Sequence, residues 1–462
     1  MQADPSIFKA YDIRGIVGKT LTEDVVRGVG RVLGSMAVEK GVSEFCVARD
    51  GRLSGPALAA ALMDGIASTG VKVIDIGAVP TPVLYFATKH FGCGTGVAVT
   101  GSHNPPDYNG LKMMVAGLTL FGEGIQAIRA RLEAEDWIVA EAPGPIERRS
   151  VEDAYIELAL RGSRIGRRLK VACDAGNGVA GPLMLKLLSR VPVDVVPLFC
   201  EPDGHFPNHH PDPSKPKNLT ALADAVRAEH CDYGFALDGD GDRLGVVTRT
   251  GSIIYPDRLM MLFAESILKT HPNAQIVYDV KCSRKLVDWI RRCGGRPAIS
   301  PTGHSLVKAK LRETGAPFAG EMSGHLFFND ERWTGFDDGL YAALRLLEIL
   351  SAAEGDPSSV LENLPNAVNT PELQIPTAEG ANHEFVKNFA EAARFPDAQD
   401  VIKVDGLRVE WADGFALARA SNTTPVVVVR FEGDTPEALE RIRSAFLAEM
   451  KRVDPSLSMP RD

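Results

Sequence analysis

Short apolar runs alternate along this chain with longer stretches whose apolar positions recur every three or four residues. Phe45-Cys46-Val47-Ala48-Arg49-Asp50 is an apolar run closed by an acid; an apolar-periodic stretch over 57–69 follows, then the apolar run Val71–Ile76. The first pattern predicts a buried strand, the second an amphipathic helix, and the third a second strand. The same succession returns at Leu169–Asp174, Leu183–Leu188 and Val193–Leu198, and again at Ile276–Asp279, Leu286–Arg292 and Arg296–Ser300. Strand, helix, strand is a crossover unit, so each copy seeds its own mainly parallel sheet. Copies this far apart, at about 100 residues, exceed the period of any stacked solenoid, and the chain reads as similar α/β domains in tandem. Beyond Pro365 the texture changes. Alternation over Val401–Trp411 and Phe415–Ala420 and the run Val426–Val429 predict strands, and Glu437–Val453 predicts a helix with Leu439, Ile442, Phe446 and Met450 on one face. The expected fold class is α/β: three tandem related α/β domains with mixed, mostly parallel sheets, then a C-terminal α+β domain. Pro/Gly-rich and polar stretches place the domains at 1–147, 148–251, 252–366 and 367–462.

Composition narrows the partners. The 462 residues carry 51 Lys+Arg against 60 Asp+Glu, a formal net charge of −9. That balance lacks the broad basic footprint of a nucleic-acid or anionic-membrane binder, so neither is expected as a partner. No apolar run approaches the ~20 residues of a membrane-spanning helix. Met1–Pro5 is followed by Lys9, Asp12 and Arg14, which is no secretory leader, and a cytoplasmic protein is expected. The seven cysteines are scattered without a C-x-x-C pair, which fits free thiols in a reducing compartment. Gly28, Gly30 and Gly34 mimic a dinucleotide fingerprint but lie inside a helical stretch with no preceding strand, and no dinucleotide is expected.

Five polar loops, each after a predicted strand, offer chemistry. Asp238-Gly239-Asp240-Gly241-Asp242-Arg243 sets three carboxylates at alternate positions, with glycines allowing one tight loop to aim them at a hard cation such as Mg²⁺. It is not an EF-hand, which needs Gly where Arg243 stands and Glu where Arg249 stands. Thr100-Gly101-Ser102-His103-Asn104-Pro105 presents a serine at a strand end, without the second glycine of a hydrolase elbow. Gly320-Glu321-Met322-Ser323-Gly324-His325 suits sugar hydroxyls and proton transfer, and Pro301-Thr302-Gly303-His304-Ser305 opens a helix, whose free N–H groups favour anions. Arg419-Ala420-Ser421-Asn422-Thr423-Thr424 combines a guanidinium, hydroxyls and an amide, a set suited to phosphate.

Together with Phe8-Lys9-Ala10-Tyr11-Asp12-Ile13-Arg14-Gly15, these loops, in this order, resemble those of the α-D-phosphohexomutases, in particular the bacterial phosphomannomutase/phosphoglucomutase branch. The resemblance implies four domains around a central cleft and reversible phosphoryl transfer between the 1- and 6-positions of glucose or mannose phosphates. It implies Ser102 as phosphoserine, with Asp238, Asp240 and Asp242 and an oxygen on Ser102 holding Mg²⁺, and glucose 1,6-bisphosphate as intermediate and activator. It implies that Glu321 and Ser323 read sugar hydroxyls and that Arg419, Ser421, Asn422 and Thr423 grip the non-reacting phosphate. Catalytic charge and proton-transfer roles fall to Arg14, His103, Lys112, Arg243, Lys281 and His325, with His325 the favoured proton carrier, and further substrate contacts to Tyr11, Asn104 and His304. A monomer is expected by the same resemblance. The rival expectations are a phosphoglucosamine mutase, in which Gln usually stands where this chain has Met322, and a Mg²⁺-dependent sugar phosphatase using Ser102.

Overall fold

The computed structural model describes residues 1–457 except Glu379 and Thr423. Two compact units make up the chain: Met1–Pro256 with Ser323–Asn363, and Asp257–Met322 with the segment from Leu364 onward. The stretch expected as a third domain is therefore shared between the units.

The first unit opens with β1 (Ile13–Ile16), α1 (Glu23–Glu39), β2 (Glu44–Arg49), α2 (Gly55–Ala67), β3 (Lys72–Ala78), α3 (Thr81–His90), β4 (Gly96–Val99) and β5 (Tyr108–Val115). Its sheet runs β1-β5-β4-β2-β3, with Ile146–Arg148 on the outer edge. β2 lies parallel to β3 and β4, whereas β5 is antiparallel to both β4 and β1. α1 starts where Thr22 accepts from Val25 N, and Glu23 and Asp24 sit against the positive end of its dipole. The glycines of the false fingerprint have a packing role. A Cβ on Gly30 would lie 2.4 Å from Leu62 O, and one on Gly65 of α2 would lie 2.1 Å from Arg27 O, so α1 and α2 touch backbone to backbone.

A second sheet in this unit follows the same plan. β6 (Leu169–Asp174), α4 (Ala180–Leu188), β7 (Val193–Leu198), β8 (Tyr233–Leu237) and β9 (Leu244–Thr248) place β6 parallel to β7 on one side and β8 on the other, with β9 antiparallel to β8. In the second unit, β10 (Gln275–Asp279) lies parallel to β11 (Arg296–Ser300) and β12 (Phe318–Gly320), with α5 (Arg284–Arg292) before β11 and α6 (His304–Thr314) between β11 and β12. In all three copies the strand ending near the echoed acid is flanked by the crossover partner and by the strand that leads into a polar loop. α5 begins two residues before its apolar pattern because Ser283 Oγ accepts from Lys285 N and caps it.

The C-terminal part adds to its expected outline two short strands, Val368–Asn369 and Leu373–Pro376, and a helix, Ala381–Ala392, and it divides one expected strand. The alternation over Val401–Trp411 is two antiparallel strands, Asp400–Ile402 and β13 (Leu407–Trp411), separated by a turn through Gly406 at φ +79°. β14 (Gly414–Ala420) and β15 (Val426–Gly433) complete an antiparallel sheet that α7 (Pro436–Val453) covers. Ile442, Phe446 and Met450 are buried on the inner face of α7, and Leu439 is half-buried against the same core. Full burial of such side chains stabilises by about 1.5–3 kcal/mol each. All seven cysteines are free, and no described helix is long and apolar enough to cross a membrane.

Ser323–Asn363 carries an aromatic cluster in which Trp333 stacks on Tyr341 at 3.9 Å and Tyr155 meets Trp333 edge-on at 5.7 Å. Asp338 caps the helix Gly339–Ala352 here, accepting from Tyr341 N at 2.9 Å and from the Tyr155 hydroxyl at 2.8 Å. Burial pushes the Asp338 carboxyl up to about 7, although both hydrogen bonds favour its charged form. A raised folded-state pKa means the native protein holds a proton that the unfolded chain releases above pH ~4. Stability from this group is therefore full in acid and is lost as pH rises toward 7. The Asp338→Asn variant keeps a cap of similar quality and removes the titration. Urea unfolding between pH 4.5 and 7.5 should show wild type losing about 3–4 kcal/mol relative to the variant; parallel pH profiles would refute this.

Candidate active site

The first unit gathers two loops at strand ends, after β4 and β8. Ser102 follows β4, is 1% exposed, and sits at φ +48°, a left-handed conformation uncommon for a non-glycine residue. Its N–H donates to Thr100 Oγ1 at 2.8 Å, and its Oγ stands 3.1 Å from Asp238 Oδ2 and 3.2 Å from His103 Nδ1. Asp238, Asp240 and Asp242 follow β8 and are all fully buried. One oxygen from each lies within 4.8 Å of the others. Asp238 Oδ1 accepts from the backbone N–H of Asp242 at 3.0 Å and of Arg243 at 3.2 Å, which curls the loop inward.

Lys112, on β5 opposite Ala98, spans this loop: its Nζ is 2.8 Å from Asp240 Oδ2 and 2.5 Å from Asp242 Oδ2. Burial alone would raise all three carboxyls. Asp240 and Asp242 are nevertheless held low by the Lys112 charge, whereas Asp238, farther from it, is pushed well up by burial and by its two acidic neighbours. The same carboxylates hold the Lys112 ammonium well above its ordinary value despite burial. Thr81 at the start of α3 also donates to Asp240 Oδ2 at 2.5 Å. Asp240 Oδ1 is buried and accepts no hydrogen bond from the described residues. An all-oxygen triad with such an acceptor fits a hard divalent cation.

Around this centre, Arg14 of β1 donates to Asn104 Oδ1 and to Asp12 Oδ2, and half-buried Tyr11 precedes that strand. His325 Nε2 lies 3.3 Å from Arg243 Nε and 3.3 Å from Asp242 Oδ1, and its Nδ1 is 3.0 Å from Ser323 Oγ. Burial and the cations Arg243, Arg14 and Lys112 drive the His103 imidazole well below its ordinary value, so it is neutral at pH 7. The first unit thus brings together Arg14, Ser102, His103, Asn104, Lys112, the three aspartates, Arg243, Ser323 and His325.

The second unit gathers the rest. Glu321, after β12, accepts from Gly303 N at 2.6 Å and so ties the sugar-loop candidate to the start of α6, where buried His304 lies. Asp279 at the end of β10 accepts from Thr302 Oγ1 at 3.0 Å and from Met322 N at 3.1 Å, joining the same two loops. Asp405 accepts from Arg419 Nε at 2.8 Å and from Thr302 N at 3.0 Å. Ser421 and Asn422 follow β14 and are half-buried; Thr423 lies outside the described residues. Lys281 donates to Glu372 Oε1 at 2.7 Å. Burial opposes the charge on Lys281, yet Glu372 and Asp279 raise its pKa, so it is a fixed cation in this arrangement. Burial likewise opposes charge on Glu372, and Lys281 still pulls that carboxyl down to about 2.

Several participants escaped the sequence reading: Asp50, Arg52 and Thr81 in the first unit, and Glu372, Asp405, Arg408 and Arg430 in the second. Arg408 Nη1 donates to Val280 O at 2.6 Å and Cys282 O at 2.7 Å, and Arg430 donates to Lys281 O, so two buried guanidiniums fix the loop that carries Lys281. Only Asp50 and Asp279 had left a trace, as acids closing the echoed strands.

Repeated α/β sheets with a buried acidic triad beside a strand-end serine belong to a known class of enzyme. Family profiles described as phosphoglucomutase/phosphomannomutase α/β/α domains I, II and III match residues 5–138, 153–251 and 255–368, and the profile of the C-terminal domain matches 372–449. A phosphoglucomutase of Neisseria gonorrhoeae is 50% identical over 98% of both chains. A phosphomannomutase/phosphoglucomutase of Pseudomonas aeruginosa is 50% identical over 98% of this chain and 97% of its own. A crystal structure of a phosphoglucomutase/phosphomannomutase family protein from Burkholderia thailandensis superposes with a TM-score of 0.95 at 51% identity, covering 100% of both chains. The chain belongs to the phosphoglucomutase/phosphomannomutase family, within the α-D-phosphohexomutases.

Proposed function

We propose that this protein interconverts the 1- and 6-phosphates of glucose and mannose through a phosphorylated Ser102 and a hexose 1,6-bisphosphate. The observation that carries this reading is Ser102 Oγ, 3.1 Å from Asp238 Oδ2 at the edge of the aspartate triad, in a chain half identical over its length to enzymes named for that activity. Asp238, Asp240 and Asp242, with an oxygen on Ser102, would hold Mg²⁺, which when bound would withdraw charge from the serine oxygen and make it a better leaving group. Phosphoryl transfer asks the protein for positioning and charge neutralisation, and Lys112 and Arg243 supply cations beside the serine. His325 takes the proton of the attacking sugar hydroxyl, while Ser323 and Arg243 hold its ring. His103, neutral, stands beside the serine oxygen without adding charge. In the second unit Glu321 binds sugar hydroxyls, Arg419 with Ser421, Asn422 and Thr423 holds the phosphate that is not reacting, and Lys281 and His304 add positive and polar contacts. After the first transfer the bisphosphate must turn end for end, and Ser102 takes back the other phosphate, so no nucleotide is consumed.

The test is direct. Enzyme primed with glucose 1,6-bisphosphate and Mg²⁺ should convert glucose 1-phosphate and mannose 1-phosphate to the 6-phosphates without releasing inorganic phosphate. Stoichiometric inorganic phosphate would make the protein a phosphatase, and conversion of glucosamine 1-phosphate alone would make it a phosphoglucosamine mutase.

A further inference from the structure

One buried guanidinium sits behind the Ser102 loop without facing its chemistry. Arg52 is 1% exposed, and all five of its N–H groups are engaged. Nε donates to Asp50 Oδ2 at 3.2 Å; Nη1 donates to Tyr108 O at 2.9 Å and to Pro105 O; Nη2 donates to Ser102 O at 2.9 Å and to Asn104 O. Three carbonyls of the Ser102 loop and that of Tyr108 at the start of β5 are thus drawn onto one planar fork, and the Phe206 ring covers it at 5.2 Å. Asp50 completes the device. Its Oδ2 also accepts from Thr100 Oγ1 at 2.8 Å and from Gly101 N at 3.0 Å, and Thr100 Oγ1 in turn accepts the Ser102 N–H at 2.8 Å.

The peptide groups on both sides of Ser102 are therefore fixed, one through Thr100 and Asp50, the other through Arg52. Pinning both planes sets the φ and ψ between them. Here they hold a non-glycine residue at φ +48°, a conformation it would leave if the loop were free. That conformation is what aims Oγ at the metal triad.

We propose that Arg52, braced by Asp50, is a positioning residue for phosphoryl transfer: it holds the Ser102 backbone in its left-handed conformation so that Oγ meets the triad. This rests on Ser102 being the phosphoryl carrier. Lysine cannot replace it, because an ammonium offers three donors from one point and cannot reach four carbonyls spread over a plane.

The test compares wild type, Arg52→Lys, Arg52→Ala and Ser102→Ala as full-length proteins. Arg52→Lys should lower kcat about 100-fold, the scale of a misplaced reacting atom, with KM for glucose 1-phosphate changed less than about threefold. The rate at which Ser102 gains about 80 Da from glucose 1,6-bisphosphate, read by intact mass, should fall in parallel. Methylguanidinium added to Arg52→Ala should restore turnover by about tenfold or more and leave Ser102→Ala unchanged. If Arg52→Ala does not fold, Arg52→Lys decides alone. A lysine variant within about threefold of wild-type kcat, or one whose loss follows only its folded fraction, would overturn the positioning role. Wild type that gains no phosphate on Ser102 would instead remove the carrier reading, and this inference with it.

Discussion

Ser102→Ala should lose about 10⁴-fold or more of mutase turnover, the scale on which removing a covalent nucleophile acts, while remaining folded and able to bind sugar phosphate. The loss is confined to chemistry because of what the hydroxyl touches. Its contacts are Asp238 Oδ2 at 3.1 Å and His103 Nδ1 at 3.2 Å, and removing such hydrogen bonds costs about 1 kcal/mol of stability each. The backbone bonds that shape the loop run through the Ser102 amide and carbonyl, which alanine keeps. Alanine also tolerates φ +48° no worse than serine does. Calorimetry with glucose 1-phosphate should find affinity within about threefold of wild type, because phosphate and sugar contacts do not depend on this hydroxyl. Residual mutase activity within tenfold of wild type would place the carrier elsewhere and sink the serine mechanism.

What the sequence could reveal divides along a physical line. Strand ends and their polar loops were legible because both signals are local: a short apolar run sets a strand, and Gly, Asp, Ser and Asn just after it set a loop. Each of the five loops read this way does follow a strand: 101–106 after β4, 238–243 after β8, 301–305 after β11, 321–325 after β12 and 421–425 after β14. The groups that brace these loops were not legible, because their partners lie far along the chain. Arg52 reaches Ser102 across 50 positions, Lys281 meets Glu372 across 91, and Arg408 reaches Val280 across 128. No periodicity encodes such a pairing. Glu372 and Asp405 look like ordinary surface acids until the fold sets them on Lys281 and Arg419. The acids closing the echoed strands were the one visible clue. Asp50 and Asp279 each tie down a functional loop, and Asp174 accepts from Gly176 N at 2.8 Å and lies 2.9 Å from His209 Nε2. The repeat thus preserves an anchoring acid as well as a strand pattern. Lys281 shows the opposite limit. Its residue type suggested assistance in proton transfer, but whether a lysine gives up its proton depends on neighbours, and here two carboxylates favour the charged form.

The same dependence on neighbours makes Lys112 the most exacting test of the metal site. Lys112→Met keeps an unbranched side chain of similar length and removes the ammonium that bridges Asp240 and Asp242 at 2.8 and 2.5 Å. Three fully buried carboxylates then face one another, with Arg243 Nε 3.9 Å from Asp238 Oδ2 and His325 Nε2 3.3 Å from Asp242 Oδ1. Removing one partner of a buried charge cluster typically costs 3–5 kcal/mol, because the remaining charge is neither solvated nor paired. In a chelator the variant should therefore unfold several degrees below wild type, by roughly 2–4 °C per kcal/mol for domains of this size. A divalent cation at the triad would supply positive charge to the same carboxylates, so saturating Mg²⁺ should recover more stability in the variant than in wild type, by binding linkage. Turnover should not recover with it. Lys112 is also one of the cations proposed to neutralise charge beside the serine, and losing one such electrostatic contact should lower kcat by about 10²–10³-fold. The two readouts separate the two roles: stability that Mg²⁺ restores belongs to the triad, and rate that Mg²⁺ cannot restore belongs to the transferring group. A variant with the same melting shift in chelator and in Mg²⁺ would show that the triad is not where the metal acts.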